Sequence, residues 1–146
     1  YEFIDTPHKF KMGVSACPRS CVESGVKDFG VIGVENGYQI YIGGNGGTEV
    51  KEAQLLTTAE TEKEVIDICG AMLQYYRETG IYAERTAPWI ERMGFEVVKE
   101  VLLNPKKRQE LLATLDQAVE GRRGNPWDEV IEDKQIREEL YTVGRV

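Results

Sequence analysis

Two rhythms of apolar and polar positions divide this chain. In the first third the apolar residues alternate. Over residues 9–14, Phe10, Met12 and Val14 share one face and Lys9, Lys11 and Gly13 the other, the period of a strand. Residues 29–34 are apolar on both faces, which predicts a buried strand. Asn36-Gly37 follows, the dipeptide that a type I′ hairpin favours, and residues 38–42 alternate again. From residue 61 the period lengthens. Val65, Ile68, Cys69, Met72, Leu73 and Tyr76 recur at helical spacing behind a capping box of Thr61 and Glu64, and Gly80 is placed to end that helix.

The helical rhythm then repeats with interruptions. Thr86, with Pro88 in the first turn, opens a second helix carrying Trp89, Ile90 and Met93. Gly94 breaks it before residues 97–102. Asn104-Pro105 restarts helix, with Leu111, Leu112, Leu115 and Val119 on its apolar face. Gly121-Arg122-Arg123-Gly124 reads as a linker, and Asn125-Pro126 opens a last helix through Trp127, Val130 and Ile131. The expected fold is α+β: a small, mainly antiparallel sheet carrying a cysteine turn, packed by several C-terminal helices.

Composition narrows the function classes. A chain of 146 residues is long enough to bury a core without staples. Its formal charge is −7, from 18 basic and 25 acidic residues. An acidic domain gains no counterion-release affinity for nucleic acid, so that partner is set aside. No apolar run approaches the length of a membrane span, which sets a membrane aside as well. The chain opens on Tyr1 and enters a strand almost at once, so it reads as a fragment of a longer polypeptide. Three cysteines make no disulfide framework and suit a reducing, cytoplasmic setting.

Chemistry concentrates around Cys17 and Cys21, in a turn that closes the first strand. Two thiolates are half the usual ligand set for zinc or an iron–sulfur cluster. Spacing alone therefore leaves two readings open: a half-site completed from outside the chain, or two ordinary thiols in a tight turn. Cys69, on the buried stripe of the long helix, reads as a small core residue. Nine of the 15 glycines fall between Gly13 and Gly47. The run Gly43-Gly44-Asn45-Gly46-Gly47 is either an anion cradle of backbone N–H groups or a flexible turn. It is not a dinucleotide fingerprint, because Glu49 stands where the third glycine is due. Lys9, Lys11, Arg19 and Lys27 are four of five basic residues before position 58, and either meet an acidic cofactor or form a solvated face. Arg77, Arg85 and Arg92, with Glu78, Glu84 and Glu91, read as surface charge.

Several segments together resemble a known family. They are Pro7-His8-Lys9-Phe10-Lys11, Gly13-Val14-Ser15, and Cys17-Pro18 closed by Cys21. Lys27-Asp28-Phe29-Gly30-Val31-Ile32-Gly33 and Tyr41-Ile42 with the glycine run extend the match. The chain resembles the sirohaem and 4Fe–4S domain of nitrite and sulfite reductases. Leu73-Gln74-Tyr75-Tyr76-Arg77 and Glu84-Arg85-Thr86-Ala87-Pro88-Trp89-Ile90-Glu91-Arg92 point to the branch of assimilatory NAD(P)H-dependent nitrite reductase large subunits. The resemblance divides the chain into residues 1–103, the C-terminal part of that domain, and residues 104–146, a helical tail.

The resemblance implies the following. Cys17 and Cys21 match the second of two cysteine pairs that hold the cluster, and Cys21 bridges it to the sirohaem iron. The first pair is absent from this chain. Arg19 stands where many relatives carry Asn and fits the nitrite-reductase branch. Sirohaem carries many carboxylates, so Lys11, Arg19, Gly43, Gly44, Asn45, Gly46 and Gly47 become candidate cofactor contacts. Lys9 is a candidate anion-facing residue, and the resemblance identifies no catalytic proton donor. The implied activity is an oxidoreductase that reduces nitrite to ammonia, with NAD(P)H electrons entering through FAD and a 2Fe–2S cluster in other domains. Its implied partners are those domains and a small subunit. The fragment alone is expected to be inactive and to hold neither an intact 4Fe–4S cluster nor sirohaem. The alternatives are a sulfite reductase of the same fold and a non-catalytic zinc-binding or interaction domain.

Overall fold

The computed structural model describes residues 4–121 and 131–142. The chain divides into two compact units, residues 5–116 and residues 1–4 with 117–146. In the larger unit a four-stranded sheet has the order β1 (Met12–Ser15), β2 (Phe29–Val34), β3 (Gly37–Ile42), β6 (Gln54–Ala59). A two-stranded ribbon, β4 (Asn45–Gly46) and β5 (Val50–Lys51), stands apart. β1 and β2 are parallel; β2–β3 and β3–β6 are antiparallel. Four helices follow: α1 (Glu62–Thr79), α2 (Thr86–Met93), α3 (Phe95–Leu103) and α4 (Pro105–Glu120), the last running past the unit's end. The fold is α+β with a mixed, mainly antiparallel sheet, as the sequence patterns predict.

The core lies between one sheet face and the helices. Phe29, Val31, Ile40, Ile42, Leu56 and Ala59 meet Ile68, Met72, Tyr76, Trp89, Ile90, Val98 and Leu102, all at most 2% exposed. Burying each large apolar side chain contributes about 1.5–3 kcal/mol. Tyr75 and Tyr76 both pack on Trp89, with ring centroids 5.6 and 5.3 Å away. α1 begins as its capping box predicts: the Glu64 N–H donates to Thr61 Oγ1 at 3.2 Å. The Glu64 carboxylate reaches one residue further back than the motif specifies, accepting from the Glu60 N–H at 3.2 Å. Gly94 separates α2 from α3, and Asn104 Oδ1 caps α4 by accepting from the Lys106 and Lys107 N–H groups.

Three sequence expectations need correction. The first strand covers Met12–Ser15, not residues 9–14. Its buried positions are Gly13 and Ser15, while Met12 and Val14 are 55% and 69% exposed. Met12 and Val14 do point to the side of their partners Phe29 and Val31, but β1 is the sheet edge and the core ends beneath it. The hairpin between β2 and β3 turns one residue early. Val34 pairs with Gly37, so the loop is Glu35-Asn36. Neither loop residue has positive φ, so the turn is not type I′. The strand β6 has no counterpart in the sequence reading. Its ladder skips Leu56 between the Ile40–Thr57 and Tyr41–Leu55 pairs, and this bulge turns Leu56 into the core. Leu55 and Leu56, apolar and adjacent, break the apolar–polar alternation that marks a strand in a sequence.

In the smaller unit, α5 (Lys134–Thr142) is capped by Asp133, whose Oδ1 accepts from the N–H groups of Gln135 and Ile136 at 2.8 and 3.2 Å. The expected linker residues 122–124 and the helix start through Trp127 and Val130 lie outside the described residues.

Candidate functional site

Parallel strands need a crossover, and here residues 16–28 make it without an α-helix. The crossover is a run of tight turns. Ser20 N–H donates to the Cys17 carbonyl at 3.1 Å, Glu23 N–H to Ser20 at 2.7 Å, and Val26 N–H to Glu23 at 3.0 Å. Ser20 and Glu23 sit at φ 49° and 57°, in the left-handed region, on either side of Cys21. Holding a non-glycine residue there costs about 1–2 kcal/mol, so the loop must be fixed from elsewhere.

It is fixed by a 3₁₀ turn at Ser24–Val26. Ser24 is fully buried; its hydroxyl donates to the Gly13 carbonyl at 3.2 Å and meets Ser15 Oγ at 2.9 Å. The turn covers the Gly13 and Ser15 side of β1. The loop thereby presents Cys17 and Cys21 to solvent, both free and exposed. Cys69 is buried on α1, as its helical spacing predicts. Its Sγ lies 3.5 Å from Met12 Sδ, and burial pushes its thiol up to about 12. Among the described residues no third Cys, His, Asp or Glu joins the exposed pair in a group able to hold a metal ion. Two accessible thiols on one loop fit a cluster or a metal whose remaining ligands come from elsewhere.

The glycine run divides into two halves. Gly43 and Gly44 are buried, and their N–H groups donate to the carbonyls of Asp28 and Lys27 at 3.0 and 2.9 Å. Those two donors hold the end of the cysteine loop rather than facing outward. Asn45 and Gly46 form β4, Asn45 Nδ2 donates to the Glu49 carbonyl at 2.8 Å, and Gly46 and Gly47 are exposed. A groove of about 450 Å³ runs between loop and ribbon, lined by Ser20, Glu23, Val26, Gly46, Val50 and Glu52. The Ala53 N–H donates to the Gly25 carbonyl at 2.7 Å and ties its two walls together.

The cations near the loop differ in their pairing. Lys27 lies 3.5 Å from Glu23. Lys9, Lys11 and Arg19 are exposed, and their side chains have no hydrogen-bond or ion-pair partner among the described residues. His8 accepts from the Lys9 N–H through Nδ1 at 2.8 Å.

Sequence reasoning missed one polar centre and misplaced its arginine. Asp28 is fully buried at the entrance to β2. Its Oδ2 accepts from Arg85 Nη2 at 2.9 Å and from the Lys11 N–H at 2.8 Å; its Oδ1 accepts from the same Nη2 at 3.1 Å and from the Thr86 hydroxyl. Arg85 is thus no surface charge: its side chain is 18% exposed, and its Nε is buried without a partner. The available signal was an acid standing directly before a strand apolar on both faces, a position that burial makes costly without a cation. Arg77 and Arg92, which the sequence also suggests as surface charge, are engaged too. Arg92 grips Glu84 with two nitrogens at 2.7 and 2.8 Å and holds its carboxyl below the usual carboxylate range, while Arg77 Nε donates to the Asp5 carbonyl.

The model of the nitrite and sulphite reductase 4Fe-4S domain matches residues 1–110, which include the cysteine loop, the glycine run and the Asp28–Arg85 pair. The chain is 49% identical over 141 residues to an NAD(P)H nitrite reductase of Bacillus subtilis (strain 168), covering 97% of this chain and 17% of that protein. It is 38% identical over 108 residues to the nitrite reductase (NADH) large subunit of Escherichia coli (strain K12), covering 73% of this chain and 13% of that one. An assimilatory-type sulfite reductase of Nitratidesulfovibrio vulgaris is 28% identical over 99 residues, covering 68% of this chain and 45% of that one. The chain therefore spans under a fifth of the length of these two nitrite reductases. Within that span, the match over most of the chain places it in the nitrite and sulphite reductase 4Fe-4S domain family.

Proposed function

We propose that this chain is part of the large subunit of an assimilatory NAD(P)H-dependent nitrite reductase, and that Cys17 and Cys21 supply two of the four thiolates of its 4Fe–4S cluster. The observation that carries this reading is the exposed, unpaired thiol pair on a loop fastened by the buried Ser24. The higher identity to nitrite reductases than to the sulfite reductase supports nitrite as the substrate. When bound, the cluster and sirohaem supply the electron path and the metal centre for a reduction that takes six electrons and eight protons from nitrite to ammonium and two waters. The chain's own residues hold and surround that centre. Lys11 and Arg19, free of internal carboxylates, offer charge to sirohaem carboxylates, with Lys9 nearby in sequence. Asn45, Gly46 and Gly47 offer an exposed ribbon edge, while Gly43 and Gly44 contribute by anchoring it.

Electrons would enter from NAD(P)H through FAD, and through a 2Fe–2S cluster, in other domains of a cytoplasmic subunit with a small-subunit partner. Among the described residues no helix is long and apolar enough to cross a membrane. The test uses the whole subunit with Cys17→Ser and Cys21→Ser. Loss of acid-labile sulfide and of the coupled sirohaem absorption is expected. A parent protein that contains zinc and no chromophore overturns the reading, and faster turnover of sulfite than nitrite overturns its substrate.

A further inference from the structure

We infer that Asp28 is a positioning residue that sets the cofactor-facing segments on both sides of the cysteine loop; its cofactor role rests on the function proposed above. Three separate stretches of backbone meet at this one residue. Its carboxylate takes the Lys11 N–H, just ahead of β1. Its carbonyl takes the Gly43 N–H, where the glycine run begins. Its other carboxylate oxygen takes the Thr86 hydroxyl, at the first residue of α2. A carboxylate at that helix start is also favoured by the helix dipole. Lys11, just before β1, and Gly43, just after β3, thus share one buried anchor, and the cysteines lie on the loop that this anchor closes.

The energetics separate positioning from plain core filling. Burying a carboxylate and a guanidinium costs several kcal/mol of lost hydration, and apolar residues of the same size often stabilise a fold equally well. The pairing here is also incomplete, because one Arg85 nitrogen serves both carboxylate oxygens while Nε has no partner. What the carboxylate supplies, and an apolar side chain does not, is direction. It accepts from named donors and so fixes the register of Lys11 and Thr86 against β2.

The test is the paired variant Asp28→Asn/Arg85→Gln in the whole subunit, which keeps the shape of residue 28, leaves residue 85 polar and removes both buried charges together. Hydrogen exchange is followed by mass spectrometry, beside the absorption and electron-spin spectra of the bound cofactors. Exchange at Lys11 should accelerate about tenfold to a hundredfold, since its N–H loses a hydrogen bond to a charged group, and exchange at Gly43, whose N–H bonds the Asp28 main-chain carbonyl, should rise with it as residue 28 loosens, with α3 and α4 unchanged. The cofactor spectra should shift or lose intensity relative to folded protein. Arg85→Lys should restore both readouts, because the arginine contacts the carboxylate through a single nitrogen. Unchanged exchange at Lys11 and Gly43, or exchange that rises uniformly, overturns the inference. Loosened segments with unaltered cofactor spectra overturn its cofactor role. A subunit lacking any chromophore overturns the proposed function, while the exchange measurement still decides whether Asp28 holds these segments.

Discussion

Gly30 and Ser24 are in direct backbone contact across the sheet: a β-carbon on Gly30 would lie 1.9 Å from the Ser24 carbonyl oxygen. The obstacle is backbone, and Ser24 is itself fixed by its bonds to Gly13 and Ser15. The 3₁₀ turn can lie flat on β2 only because residue 30 has no side chain. Gly30→Ala should therefore lift the cysteine loop off the sheet. Overpacking of this kind costs about 1–3 kcal/mol, and more when backbone must yield. Urea denaturation of the chain should show a loss in that range, and Gly25→Ala should show far less, since nothing lies within 4 Å of a β-carbon there.

The three cysteines should separate cleanly by reactivity. Cys17 and Cys21 are exposed, while Cys69 is buried with its thiol pushed up to about 12. A thiol reagent under native conditions should label two sites quickly and Cys69 only on unfolding. The same burial has a pH consequence. Above the ordinary value of 9.0 the unfolded thiol ionises, while the folded one stays protonated until about 12. Cys69 therefore contributes stability that is complete below pH 9.0 and is lost through that window. Rapid labelling of all three thiols in the folded chain would contradict the buried placement.

Much of this architecture was legible because its signals are local. The α1 cap, the buried stripe through Cys69, the strand at residues 29–34 and the break at Gly94 each depend on residues a few positions apart. What escaped depends on distance. Asp28 and Arg85 are 57 positions apart, and neither carries a local pattern that announces the other. The exposure of Met12 and Val14 follows from strand order, because at the sheet edge the helices cover them only in part. In β6 the apolar Leu55 and Leu56 are adjacent at the bulge, so the alternation fails there. Within the candidate site the turn that carries the thiol pair was readable, while spacing left the role of the pair open. The fate of the glycine N–H groups was not, since Gly43 and Gly44 find their acceptors at Asp28 and Lys27 across the fold.

The Arg92–Glu84 fork makes an acid-side prediction. Arg92 also donates to the Thr79 carbonyl at the end of α1, so the fork joins the α1 terminus, the following loop and α2. Arg92 holds the Glu84 carboxyl below its ordinary value, which means the folded state favours the ionised form. Its contribution is then present above the unfolded carboxylate value and disappears as pH falls through the lower folded one. Glu84→Gln should lower stability at neutral and alkaline pH by that contribution and flatten the acid limb, the two proteins converging at low pH. An identical acid limb in the variant would show that the fork contributes nothing there.

Lys11 and Arg19 should act together, and weakly as individuals. Both are exposed, and an exposed ion pair is worth about 0.2–1 kcal/mol, so one neutral replacement changes an equilibrium by at most about fivefold. The double variant Lys11→Gln/Arg19→Gln in the whole subunit should lower sirohaem retention roughly three- to tenfold under dilution, with the loss shrinking at high salt. Lys63→Gln/Lys107→Gln is the matched control. Both lysines are exposed but already paired, Lys63 2.6 Å from Asp67 and Lys107 3.3 Å from Glu100, so their removal makes the same change in net charge without removing a free cation. Equal losses in the control and the double variant would mean that retention follows net charge alone. A larger loss in the double variant, with unchanged unfolding, would locate the effect in these two residues.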